Sequence, residues 1–480
     1  MLRKSILAFL ILGCPALLGS RQVLAQVESQ APTGDRPKPA GSSANPIPLI
    51  NERDVEQESG NSVTPDTTPL TGVQDPTLGS PEVLHSYFVP GIQWSGSLQS
   101  RPYNQTVNSN WVMNNYVIGN LSMLKAWSRS QLSINYSGGG FFSNDSSQSN
   151  GNYQQLAFAQ SFQWNRWSLQ ALDQFSYLPQ SSFGFGGGTN LGIPGTGGSL
   201  GPVIPGMGNS YVPNQSIFAA TGSRYSNAAS LQLTYATSAR GSITMSGSYG
   251  LLNFVESGNV DNDMITGTLG YNYTLTANDT IGVFYRFSAY HFSGQPEAYG
   301  DHSANIAYSK KITGRLVLQL YGGPDFTVSR TSTNGDNLTY GVNCGATVRY
   351  GVQDGELHAT YSHGISGGSG VLTGSSGDLL SFGADHKLGR IWTSQVNMGY
   401  AHNSPVQNSP LNISQSFNTW NAGGGVNRMF GRNTTFGIAY NATITDYPTS
   451  SCSGSACNSS QTYQYVTISF SWQTRPIVLP

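Results

Sequence analysis

Apolar and polar side chains alternate with a period of two along most of the chain, and the stretch from Met264 to Tyr290 shows the repeating unit in full. Ile265, Gly267, Leu269, Tyr271 and Tyr273 occupy one parity, opposite Met264, Thr266, Thr268 and Asn272. Ile281, Val283, Tyr285 and Phe287 repeat the pattern opposite Gly282, Arg286 and Ser288. This period predicts two strands, and the TLTANDT break between them predicts a tight turn. One hairpin does not say where its apolar face points, because a water-soluble sheet alternates as well. Repetition decides: the unit recurs to the end of the chain, far more often than one compact core could use.

The alternation predicts about 18 strands, at roughly 91–99, 115–126, 130–138, 154–164, 167–177, 228–237, 242–251, 264–274, 280–290, 303–310, 315–322, 338–350, 355–363, 379–387, 391–400, 416–427, 433–443 and 461–472. Each is about ten residues long, the length a tilted strand needs to cross a bilayer. Connections near Ser128, Asn165, Ser238, Asn278, Thr313, Gln353, Gly389 and Gly431 are short, and those between them run longer, up to 178–227. Such sorting implies two distinct ends, and in bacterial barrels the short turns face the periplasm while the long loops face outside.

One parity collects Trp94, Leu121, Phe158, Met245, Val342, Phe382 and Ile468, and the other Ser133, Thr244, Gln319, Asn343, Asn441 and Thr467. Trp164, Trp167, Tyr273, Tyr308, Tyr350, Trp392 and Trp472 fall near the short turns, where aromatic side chains sit at a membrane interface. In hydrocarbon every backbone polar group needs a partner within the protein, so the sheet is expected to close on itself. The predicted fold is therefore all-β: a transmembrane antiparallel up-and-down β-barrel of about 18 strands, apolar outside and polar inside. A soluble extracellular β-sandwich is the structural alternative, but its loops would not be expected to sort into short and long.

Composition supports the membrane reading. Only 10% of the 480 residues are charged, against about a quarter in soluble chains. Lys+Arg 23 against Asp+Glu 24 gives no reason to expect nucleic acid as a partner. Residues 1–25, with Arg3, Lys4, an apolar run from Ile6 to Leu18 and Val23-Leu24-Ala25, read as a secretory signal peptide, with lipid attachment at Cys14 as a second reading. Residues 26–88 are rich in Pro, Ser and Thr without apolar periodicity, and predict a disordered periplasmic arm. The barrel is then expected over 89–473 and a short tail over 474–480.

From about Gly91 to Trp472 the sequence resembles the porin-like β-barrels of Gram-negative outer membranes. The resemblance rests on the export signal, the dyad repeat, the short and long connections, and the last strand Val466, Ile468, Phe470, Trp472. It implies a place in the cell outer membrane, contact with outer-membrane lipid, and insertion by barrel-assembly machinery that reads a terminal aromatic residue. QTRPIVLP after Trp472 departs from that terminal pattern. The loop 178–227, between the fifth and sixth strands, looks like the constriction loop of general porins, yet it lacks their acidic residues; a mobile external loop is the other reading. A homotrimer is compatible with the resemblance.

Few charges fall on the polar parity. Arg286 is expected to face the lumen as a selectivity residue, or to pair with a loop carboxylate. Arg349, Glu356, His358 and Asp385 gather near the short-turn ends of three successive strands, where Arg349 and Glu356 can pair across one turn. Asp173 falls on the apolar parity, which predicts either a bulge that turns it inward or a contact between protomers. Cys452 and Cys457 bracket SGSA and are a disulfide candidate in an oxidising compartment, while Cys344 reads as an inert small hydrophobe. GGSLG at 197–201 and GISGG at 364–368 match nucleophile-elbow spacing around Ser199 and Ser366, but in Gly/Ser-rich loops rather than between a strand and a helix. No catalytic, metal-binding or cofactor-binding motif stands in a suitable context.

The function expected from these readings is a passive, weakly selective channel for small polar solutes, not an enzyme. Two alternatives remain beside it: a non-transporting surface barrel that binds an extracellular partner or polymer, and an outer-membrane exit for a secreted polysaccharide.

Overall fold

The computed structural model describes residues 70–71, 86–100, 111–144, 150–178, 184–185, 217–218, 223–255, 259–293, 298–331, 335–367, 372–406, 416–446 and 460–479. Strands β1 (Tyr87–Ser100), β2 (Trp111–Ala126), β3 (Ser130–Ser143), β4 (Gly151–Trp164) and β5 (Trp167–Leu178) come first, then two short pieces, β6 (Gly184–Phe185) and β7 (Ile217–Phe218). They are followed by β8 (Arg224–Ala236), β9 (Gly241–Phe254), β10 (Asn262–Thr274), β11 (Asp279–Phe292), β12 (Ala298–Thr313), β13 (Leu316–Thr331) and β14 (Gly335–Val352). The chain continues with β15 (Gly355–Ser366), β16 (Ser375–Lys387), β17 (Trp392–Pro405), β18 (Phe417–Phe430), β19 (Thr434–Asp446), β20 (Ser460–Gln473) and β21 (Ile477–Val478).

β1–β5 and β8–β20 form one 18-stranded antiparallel wall, each strand paired with its neighbour in sequence. β5 pairs with β8 across the long connection, and β20 pairs with β1, setting Trp94 opposite Phe470. The ring is thereby closed and leaves no edge strand, as a hydrocarbon surrounding requires. Among the described residues no helix is long and apolar enough to cross a membrane; the crossing is made by strands.

Alternation fixes which side of the wall each residue takes. Leu269 is 56% exposed and Ile306 60%, both on the outer face, while Thr244 and Ser303 on the inner face are 0% exposed. The outer surface carries Ile92, Met245, Val283, Val342, Val396 and Ile438, all exposed. An apolar surface of this extent is unfavourable in water and favourable in lipid. Trp164, Trp167, Tyr273, Tyr350, Trp392 and Trp472 stand exposed at the short-turn end, an aromatic girdle at one interface. The short turns there include 388–391 and 431–433, which contain Gly389 (φ +84°) and Gly431 (φ +67°). In that left-handed region a side chain is strained, so glycine lets the chain reverse within a few residues.

The expected bulge at Asp173 does not form. Asp173 pairs with Phe158 on β4 and Ala229 on β8 in uninterrupted ladders, and its carboxylate stays on the outer face. Asn227 Nδ2 donates to Asp173 Oδ1 at 2.8 Å, so a neighbouring amide serves the oxygen without any backbone rearrangement. The wall begins at Tyr87, two residues before the expected boundary. Beyond Trp472, Ile477 and Val478 of β21 pair with Phe88 and Tyr87, and Leu479 N donates to Ser86 O at 3.0 Å.

Candidate functional site

The inner wall is the candidate site. It is lined largely by short polar side chains, with Val89, Val112, Ile118, Leu124, Leu252 and Val317 as buried apolar residues on the same face. Ser95, Asn135, Thr244, Asn305, Asn343, Thr419 and Asn441 are among the buried polar residues of this face.

Arg349, Glu356, His358 and Asp385 all point inward and meet at the short-turn end. Arg349 stands opposite His358, and Glu356 stands opposite Asp385, in adjoining ladders of β14, β15 and β16. Arg349 Nη1 donates to Glu356 Oε1 at 3.0 Å across the turn at 353–354. The His358 ring lies over Gly383, where an added Cβ would collide with it. This group brings both signs of charge onto one patch of wall, an arrangement that can orient a dipolar solute or an ion passing beside it.

A second charged group gathers around Arg286, and its carboxylates, on wall strands rather than in a loop, were not singled out by the sequence. Arg286 points inward from β11, within electrostatic range of Asp301 on β12, and Asp301 interacts in turn with Asp325 on β13. Thr327 Oγ1 donates to Asp301 Oδ1 at 3.4 Å, and both carboxylates are buried. Asp301 and Asp325 sit on the polar parity of their strands, so the rule that selects Arg286 selects them too. What the rule does not give is the register that gathers the three.

Two stretches outside the wall enter the lumen. Where β15 ends the chain leans inward: Tyr290 Oη donates to Ile365 O at 3.0 Å and Asn262 Nδ2 to Gly367 O at 3.2 Å. Ile365 packs against the buried cluster Met264, Tyr290, Phe292 and Tyr299 on the inner face of β10–β12. Gly374 (φ +79°) meets Tyr299 and Phe292 from the other end of the β15–β16 connection. Ahead of the wall, Thr71 is also buried, against Asn272 of β10. The loop expected to constrict the barrel, 178–227, lies mostly outside the described residues, but its β7 lies beside β17, far round the ring from β5 and β8.

Other candidates stand as follows. Ser366 Oγ is 2.7 Å from Ser375 Oγ, whose hydroxyl donates to Asn403 Oδ1; no base is part of that chain of hydroxyls. Ser199, Cys452, Cys457, Cys14 and the expected signal segment lie outside the described residues. Cys344 faces outward on β14. Among the described residues no group of three or more His, Cys, Asp or Glu could hold a metal ion.

No protein-family model matches the chain, and no curated protein matches it. Among solved structures it is similar to OpdK of Pseudomonas aeruginosa with vanillate (TM-score 0.41, 10% identity, covering 81% of this chain and 99% of that one). It is similar also to OccK2 (OpdF) of Pseudomonas aeruginosa in complex with glucuronate (TM-score 0.41, 10% identity, 82% of this chain and 98% of that one). A third is a BenF-like porin from Pseudomonas fluorescens Pf-5 (TM-score 0.42, 10% identity, 83% of this chain and 100% of that one). The closed wall, the even strand count, the apolar belt and the polar interior make this an outer-membrane, porin-like barrel.

Proposed function

We propose that the barrel is a passive channel that admits small polar solutes across a Gram-negative outer membrane, with weak preference among ions. The observation that carries the reading is the inner wall: hydroxyl and amide side chains line a closed ring of 18 strands. A ring of this size is wide enough for an aqueous path unless something fills it. Hydroxyls and amides can replace water around a solute without selecting its charge. Arg286, Arg349, Glu356, His358 and Asp385 would then bias passage locally, and their mixed signs account for a weak net preference. Purified protein in planar bilayers should give stepwise conductance, and a smooth baseline at all voltages would overturn the proposal.

A non-transporting surface barrel is the second reading, favoured by one observation. Ser95, Thr244, Ser303, Ser375 and Thr419 are 0% exposed on the inner face, which is less than an open water-filled bore of this width would leave. Contact with a second copy at Asp173 belongs to the same set of proposals.

A further inference from the structure

We propose that the chain preceding the barrel is latched inside the lumen at Thr71, and that the latched residue narrows the lumen beside it. The inference rests on the channel reading above for its consequence, but not for the contact itself.

Thr71 occupies a built notch. Gly270 and Gly282, inward-facing on adjoining strands β10 and β11, leave the wall without side chains at two neighbouring points. An added Cβ at Gly282 would sit 3.0 Å from Thr71 Cγ2, and one at Gly270 would press on Thr71 Cβ. Asn272, the next inward residue along β10, reads the occupant in both directions. Its Oδ1 accepts from Thr71 N at 3.2 Å, and its Nδ2 donates to Thr71 Oγ1 at 2.9 Å. Asn272 Nδ2 also donates to Thr244 Oγ1 at 3.1 Å on β9, which fixes the amide's orientation. Thr71 is left 2% exposed.

The amide reads the backbone N–H and the side-chain hydroxyl of the same residue, so this notch suits a threonine held in a turn of the chain better than a solute. Its occupant belongs to the same chain, and the hydrogen bonds hold it against the wall near the end of β10. By its short turns this end is the periplasmic one. Tyr87, where the wall starts, lies seven positions round the 18-stranded ring from β10.

The test uses the full chain with Cys344, Cys452 and Cys457 replaced by Ser. Thr71→Cys with Gly282→Cys should form an intramolecular disulfide under mild oxidation, seen by mass after proteolysis. The oxidised protein should conduct less than the reduced one, and Asn272→Ala or Gly270→Val, which evict Thr71, should raise conductance about twofold or more. A lumenal Thr268→Cys probe should react faster with a bulky maleimide in the Asn272→Ala background than in its absence. No crosslink would overturn the latch, and so would a crosslink that changes neither conductance nor labelling rate. If no variant conducts, the channel reading fails, while the crosslink and the labelling rate still decide the latch.

Discussion

Arg349 Nη1 lies 3.0 Å from Glu356 Oε1, and both side chains face the lumen from either side of a two-residue turn. Both are largely buried, so water screens the pair only in part. Glu356 also stands beside Asp385 in register. Removing the guanidinium therefore leaves two carboxylates facing each other.

Arg349→Gln should shift zero-current potentials in a salt gradient toward cation preference, and Glu356→Gln should shift them the other way. Either change should also lower stability by about 1–3 kcal/mol, the usual cost of a lost charged hydrogen bond. Equal potentials in both variants and the parent would remove this pair from the selectivity argument.

Leu269 and Thr268 are adjacent in sequence and face opposite sides of the wall. Leu269→Arg should destabilise the barrel in lipid by about 2–4 kcal/mol, whereas Thr268→Arg should alter conductance with little loss of stability. Spin labels at the two positions should report oxygen for the former and a water-soluble relaxant for the latter. Matching signals would contradict the assignment of the two faces.

Asp173 presents a carboxylate to the outer face, hydrogen-bonded to Asn227. Asp173→Leu should raise the urea midpoint in lipid vesicles, by about 1–2 kcal/mol in stability, since a charge on the lipid side is costly. A lower midpoint accompanied by loss of oligomer on native gels would instead assign the carboxylate to a protomer contact.

Gly374 holds φ at +79° with Tyr299 close beside it. Gly374→Val combines a left-handed backbone with a branched side chain, strain of about 1–2 kcal/mol, and should dislodge the inward-leaning ends of the β15–β16 connection. Solute-exclusion size in liposome swelling should then increase; an unchanged cutoff would mean that this connection does not limit passage.

The wall was legible because its signal is local. A period of two marks every strand, so each of the 18 wall strands overlaps its expected stretch, though β13 and β14 extend through most of the gap expected between 322 and 338. Arg349 with Glu356 was legible for the same reason, since one tight turn joins them. The contents of the lumen were not. Thr71 meets Asn272 across 201 positions, and nothing in a Pro/Ser/Thr-rich arm distinguishes the threonine that finds a glycine notch. Asp301 and Asp325 obey the parity rule, yet their proximity to Arg286 depends on registers that alternation leaves open. At Asp173 the alternation gave the correct side, while the bulge, one of the two remedies the cost argument offered, is absent because Asn227 supplies a partner that a single strand does not reveal.

The pairing of Trp94 with Phe470 has a kinetic corollary. Every rung outside this seam joins wall strands that are neighbours in sequence order, but the seam waits until the last hairpin has been made. Until then the first and final strands expose bare amide and carbonyl rows to a medium that offers them nothing. Partial rings are therefore poor resting places, and a contact of such long sequence separation is slow to find unaided. Assembly should behave as a single concerted event, with catalysed insertion hastening that final seam more than any hairpin.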